Sequence, residues 1–145
     1  FLHGITFAGH PVACAVAMAN LDIFEDEDIL GNVLKNEPYF KEVLEKLYEL
    51  PIVGDVRGAG YFWGIEMVKN KATKEMFTDE EAADLIFDFI SNRLYEEGLI
   101  CRTDDRGSPV IQLSPPLVCG PAELKEIGDT LYKVLSEASE RMKSL

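Results

Sequence analysis

From Pro11 to Phe24 the sequence reads PVACAVAMANLDIF, apolar or small at every position except Asn20 and Asp22. Pro11 suits the first position of a helix, where its missing N–H is no loss, and the spacing predicts a helix over 11–24. Val12, Val16, Ala19 and Ile23 make one apolar face while Cys14, Met18 and Leu21 make another. A helix apolar on nearly every side must be covered on nearly every side. That is more cover than one domain of 145 residues readily supplies. The helix is therefore expected to be buried against a surface outside this chain, and the chain alone to expose apolar surface and self-associate.

The remaining sequence has ordinary punctuation. After the acidic run Glu25–Asp28, residues Leu30, Val33, Leu34, Phe40, Val43, Leu44 and Leu47 restore helical spacing over 29–50, with Pro38 expected to kink or restart the helix. Over 52–68 the period shortens: Tyr61, Trp63, Ile65 and Met67 alternate with Phe62, Gly64, Glu66 and Val68, which predicts two strands. Thr78 and Glu81 form a capping-box pattern opening a helix with the stripe Leu85, Ile86, Phe89, Ile90 and Leu94, stopped by Gly98. Residues 99–103 and 110–114 read as an antiparallel hairpin around a polar turn. Gly120-Pro121 opens a last helix with Leu124, Ile127, Leu131, Val134, Leu135 and Ala138 on one face. The expected fold class is α+β, an antiparallel sheet covered by helices and preceded by a buried linking helix.

Composition narrows the partners. The 26 acidic and 14 basic side chains give a net charge of −12, which repels a phosphate backbone, so nucleic acid is not an expected partner. No stretch approaches the ~20 apolar residues of a membrane span, and no membrane association is expected. Cys14, Cys101 and Cys119 are odd in number and widely spaced, which suggests neither a disulfide framework nor a metal knuckle and suits a cytoplasmic setting. His3 and His10 lack ligand-spaced partners, so no metal site is expected. The glycines Gly54, Gly58 and Gly60 do not have the dinucleotide-binding spacing.

Three segments are candidates for chemistry. In HGITFAGHP (3–11), Thr6 and several backbone amides precede a helix N-terminus, an arrangement suited to a phosphate dianion. Pattern alone favours an ordinary glycine-rich loop there. Arg102, at a strand end, has the planar fork that takes a carboxylate by two parallel hydrogen bonds, although a surface ion pair is the simpler reading from composition. Asp55-Val56-Arg57-Gly58-Ala59-Gly60 reads as a glycine-rich strand turn with structural polar groups.

The run FLHGITFAGHPVACAVA (1–17) resembles the segment that follows the cofactor lysine in class III aminotransferases of the omega-amino-acid type. VGDVRGAG (53–60) with Gly64-Ile65-Glu66 resembles the start of that family's small C-terminal domain. GLICR (98–102) followed by LSPPL (113–117) resembles its substrate-side hairpin. The resemblance spans essentially the whole chain. It implies that residues 1–28 are the tail of a large domain, carrying the phosphate-contact loop and linking helix, and that 29–145 are the small domain.

The resemblance also implies roles. Thr6 contacts the phosphate of pyridoxal 5'-phosphate in the neighbouring subunit of a homodimer sharing its active sites, with the backbone of Ile5 and Gly4 beside it. Arg102 meets the substrate carboxylate, with Arg106 as a rival because the turn at 103–108 departs from the commoner family form. The implied reaction moves an amino group from an amino acid or amine to a 2-oxo acid, although some relatives decarboxylate or rearrange their substrates. The family's Schiff-base lysine precedes the HGIT segment, and this sequence has no lysine before Lys35. The chain is therefore expected to contribute no catalytic residue of its own and to be inactive alone. The alternative is a noncatalytic interaction module of the same fold.

Overall fold

The computed structural model describes residues 4, 6–104 and 109–143. The first helix, α1 (Pro11–Asp26), runs slightly beyond the expected end. None of its residues is buried, and Val12, Val16, Met18, Leu21 and Ile23 are 48–65% exposed. Among the described residues its apolar faces find little cover: only Phe24, at the end nearest α2, is part-buried.

Asp28 follows in the left-handed conformation, φ 47°, and its carboxylate accepts a hydrogen bond from the Gly31 N–H at 3.2 Å. That cap starts α2 (Ile29–Glu45), which passes through Pro38 without restarting and tightens into a 3-10 turn, Lys46–Glu49. A local reason keeps the helix from restarting at Pro38. Pro38 lies on the exposed side, and Leu34, whose carbonyl the missing N–H would have bonded, is 69% exposed and open to water.

β1 (Val53–Ala59) and β2 (Phe62–Met67) form a hairpin closed by the pair Ala59 and Phe62 around Gly60 and Tyr61. Gly60 has φ 55°, which suits a residue without Cβ. The capping box is present: the Glu81 N–H donates to Thr78 Oγ1 at 3.3 Å and the Thr78 N–H to Glu81 Oε2 at 3.0 Å. It opens α3 (Asp79–Ala82), which continues as a π-helical stretch, Ala83–Ile90, and then α4 (Ser91–Glu96). β3 (Arg102–Asp104) pairs antiparallel with β4 (Val110–Leu113), and Glu123 caps back onto the Gly120 N–H at 2.9 Å to start α5 (Pro121–Met142).

The four strands form one antiparallel sheet in the order β1-β2-β4-β3. Trp63, Ile65 and Met67 of β2 and Ile111 and Leu113 of β4 turn inward and are at most 4% exposed. They join Phe40 and Leu44 of α2, Leu85, Ile86 and Ile90 of the π-helical stretch, and Leu131 and Leu135 of α5 in a single core. The Phe40 ring stands edge-on to Tyr61 at 5.8 Å and to Trp63 at 6.3 Å. The opposite face of the sheet carries Arg57, Phe62, Gly64, Gln112 and Arg102, none of them buried.

Candidate functional site

Register decides which side chains meet on that outer face. Arg57 pairs with Gly64, Gly64 with Gln112, and Gln112 with Arg102, so these four residues form one rung across the whole sheet. Antiparallel partners share a face, with Cβ atoms about 5 Å apart. Arg102 and Gln112 line a groove of about 440 Å³. Its polar side also has Ser114, and its apolar wall includes Phe62, Ile100 and Pro116.

The segment after β4 is held in place from below. The Asn32 side-chain amide donates to the carbonyls of Leu117 and Cys119 at 2.8 and 3.0 Å, and the Tyr61 hydroxyl donates to Cys119 at 2.9 Å. The buried Asn36 amide donates in turn to the Asn32 carbonyl at 2.9 Å. These bonds fix the Ser114–Pro116 wall against the core without occupying the groove. Cys101, beside Arg102, has its thiol pushed up to about 11 by burial and is not poised as a nucleophile.

Arg57, at the other end of the rung, is engaged within the sheet. It donates to Asp55 at 2.8 Å and Glu66 at 2.5 Å, while the Tyr48 hydroxyl donates to Asp55 at 2.8 Å. The Arg57 hydrogen bond, with that of Tyr48 second, holds the Asp55 carboxyl below its ordinary range. The structural reading of Asp55 and Arg57 agrees with this geometry.

Thr6 lies in the exposed turn over 6–9 ahead of α1, and takes no part in the Arg102 groove. His10 is the N-cap of α1 but makes no side-chain cap bond, and the first turn of α1 holds no acidic residue. Gly4 is exposed, with nothing within 4 Å of where a Cβ would stand. A hydroxyl ahead of a helix N-terminus whose first turn holds no carboxylate is chemically compatible with an anion. Ile5 and Arg106 lie outside the described residues.

Sequence reasoning did not single out Phe62, Ile100 or Gln112 as groove residues. A signal existed for two of them: Phe62 falls on the outward beat of an alternating strand, and Gln112 is the lone polar side chain in VIQL.

The helices on one side of a four-stranded antiparallel sheet, with the Arg102 groove at its far edge, make this an α+β domain. A family model described as aminotransferase class-III matches residues 2–135, and the chain belongs to that family. It is 54% identical over 97% of its length to a protein of Mycobacterium tuberculosis described as a "Probable aminotransferase", of which it covers 30%. It is 37% identical over 96% of its length to the putrescine–pyruvate aminotransferase of Pseudomonas aeruginosa, covering 29% of that protein. Among solved structures, a PLP-bound aminotransferase mutant from Vibrio fluvialis superposes with a TM-score of 0.86 at 34% identity, over 98% of this chain and 30% of that one. The chain thus spans about 30% of the length of the relatives it matches.

Proposed function

We propose that the chain is the C-terminal portion of a pyridoxal-phosphate-dependent transaminase that moves an amino group from an amino acid or amine to a 2-oxo acid. The observation that carries this reading is the position of Arg102 on the open face of the sheet, at the rim of a groove with one polar and one apolar side. A guanidinium there takes the carboxylate of an oxo acid by paired hydrogen bonds, and the apolar wall receives the rest of the molecule. Pyridoxal phosphate, when bound, supplies the electron sink for the exchange. Thr6 would hold its phosphate through the hydroxyl, with the backbone of Gly4 and Ile5 and the open N-terminus of α1 beside it.

The relatives' names support the activity and the cofactor. Residues 1–28 belong to the large domain in this reading and 29–145 to the small one, which agrees with the break between α1 and α2 at the left-handed Asp28 and with the lack of buried residues in α1. The assembly is a homodimer sharing its active sites and working in the cytoplasm; among the described residues no helix is long and apolar enough to cross a membrane. No lysine precedes Lys35 in residues 1–145, and in this reading the Schiff-base lysine belongs to the part of the relatives' length that this chain does not span.

Arg102→Ala in the full-length enzyme tests the reading. It should raise KM for oxo-acid acceptors well above its effect on amines that lack a carboxylate, and equal effects on both would remove Arg102 from the substrate site. Thr6→Ala should weaken cofactor retention by about 1–3 kcal/mol, read from the dissociation of pyridoxal phosphate on dilution.

A further inference from the structure

We infer that Lys71 is a site of covalent acylation by acyl thioesters, an inference that does not depend on the Arg102 groove. Lys71 lies in the turn after β2, which is closed by the bridge between Asn70 and Glu75. Within it the Asn70 side-chain oxygen accepts the N–H groups of Ala72 and Thr73 at 2.9 and 3.2 Å. The turn brings the Lys71 side chain to the 3-10 turn after α2, where Nζ donates to the Tyr48 carbonyl at 2.5 Å. Lys41, Lys69, Lys125, Lys133 and Lys143 each hold a carboxylate, whereas Lys71 forms no ion pair among the described residues. Asp55 and Glu66 line the same groove of about 500 Å³, and both are engaged by Arg57.

The partner decides how firmly the proton is held. Glu81 bonds Lys69, two residues away, and raises its pKa. A main-chain carbonyl has no net charge to do this, and partial burial lowers the Lys71 pKa from the ordinary lysine value. The neutral amine can keep one N–H on the Tyr48 carbonyl, which orients it, and still offer its lone pair as a nucleophile. Val68 and Met76 give the groove apolar surface for an acyl chain, while the two carboxylates disfavour an acyl phosphate. Attack of Nζ on the thioester carbonyl forms the C–N bond and breaks the C–S bond. The thiolate leaves, and the proton lost by nitrogen passes to it or to water.

Competitive labelling tests this, with S-acetyl-N-acetylcysteamine as the thioester probe on the 145-residue chain. The reaction is stopped at low conversion, the remaining amines are capped with heavy acetyl groups under denaturing conditions, and peptide mass spectrometry reads the ratio at each lysine. Lys71 should react about tenfold or more faster than Lys69, the factor that one pKa unit makes in the neutral amine. It should also outrun Lys74 of the same turn, and its rate should level off at lower pH than that of Lys69. In denaturing urea the preference should vanish. Glu81→Gln, which keeps a cap at Thr78 but removes the charge beside Lys69, should speed Lys69 and leave Lys71 unchanged.

A Lys71 that reacts no faster than Lys69 or Lys74 overturns the inference. So does a preference that survives in urea, because it then belongs to the local sequence and not to the folded groove. A Lys69 that stays as slow in Glu81→Gln overturns it as well, because the carboxylate partner then does not set the difference between the two lysines.

Discussion

Helices α1 and α5 make opposite use of their sequences. α1 is apolar or small over almost its whole length and buries nothing, whereas α5 is studded with charge and buries Leu124, Gly128, Leu131, Val134, Leu135, Ala138 and Ser139. The difference lies in arrangement. On α5 the apolar residues form one stripe and the sheet side of this chain supplies the surface to meet it. On α1 they surround the helix, and the described residues cover little beyond Phe24. A stripe announces that a helix belongs to the local core; apolar residues all round announce that its cover lies elsewhere.

The contrast can be broken by substitution. Phe40→Ala, in the α5-side core and fully buried against Tyr61 and Trp63, should cost about 3–5 kcal/mol in urea unfolding. Val16→Ala in α1 should change stability by no more than about 0.5 kcal/mol. A comparable loss at Val16 would mean that α1 is already packed in this chain.

Close packing around α5 can be probed in the other direction. A Cβ added at Gly128 would stand 2.0 Å from Val43 Cγ1, so Gly128→Ala should destabilise by about 1–3 kcal/mol in the same assay. A smaller effect belongs to the cap: Thr78→Ala removes the acceptor for the Glu81 N–H and should cost about 1 kcal/mol.

The smallest effect is electrostatic and depends on pH. The Lys133 ammonium and then Arg93 hold the Glu97 carboxyl below its ordinary range, and Arg93 does the same for Glu137. Their folded pKa values lie below the unfolded ones, so the stability they contribute is present above about pH 4.3 and is lost as pH falls through the folded values. Lys133→Ala should make the acid limb of a stability–pH curve shallower, and an unchanged limb would show that solvent screens these exposed pairs completely.

Much of this was legible in sequence because it is local. The capping box at Thr78, the stop at Gly98 with φ 85°, and the inward beat of Tyr61, Trp63, Ile65 and Met67 each depend on residues a few positions apart. The run through Pro38 was not legible, because it depends on which side of α2 meets water. Arg102 was legible as a strand-end arginine, but its neighbour Gln112 was not. Their pairing follows from a strand register between two separate segments, and the wider rung needs β4 to insert between β2 and β3. The π-helical form of 83–90 has no sequence signal that we can name. Thr6 and Gly4, proposed for the phosphate contact, are exposed, and Ile5 lies outside the described residues.

Sedimentation velocity over a concentration series, on residues 1–145 beside residues 29–145, tests most directly whether α1 belongs against a surface outside this chain. The account predicts concentration-dependent association of 1–145, and a monomeric 29–145 that keeps its cooperative unfolding transition. A monomeric 1–145 at every concentration, or a 29–145 that has lost cooperative unfolding, would contradict it.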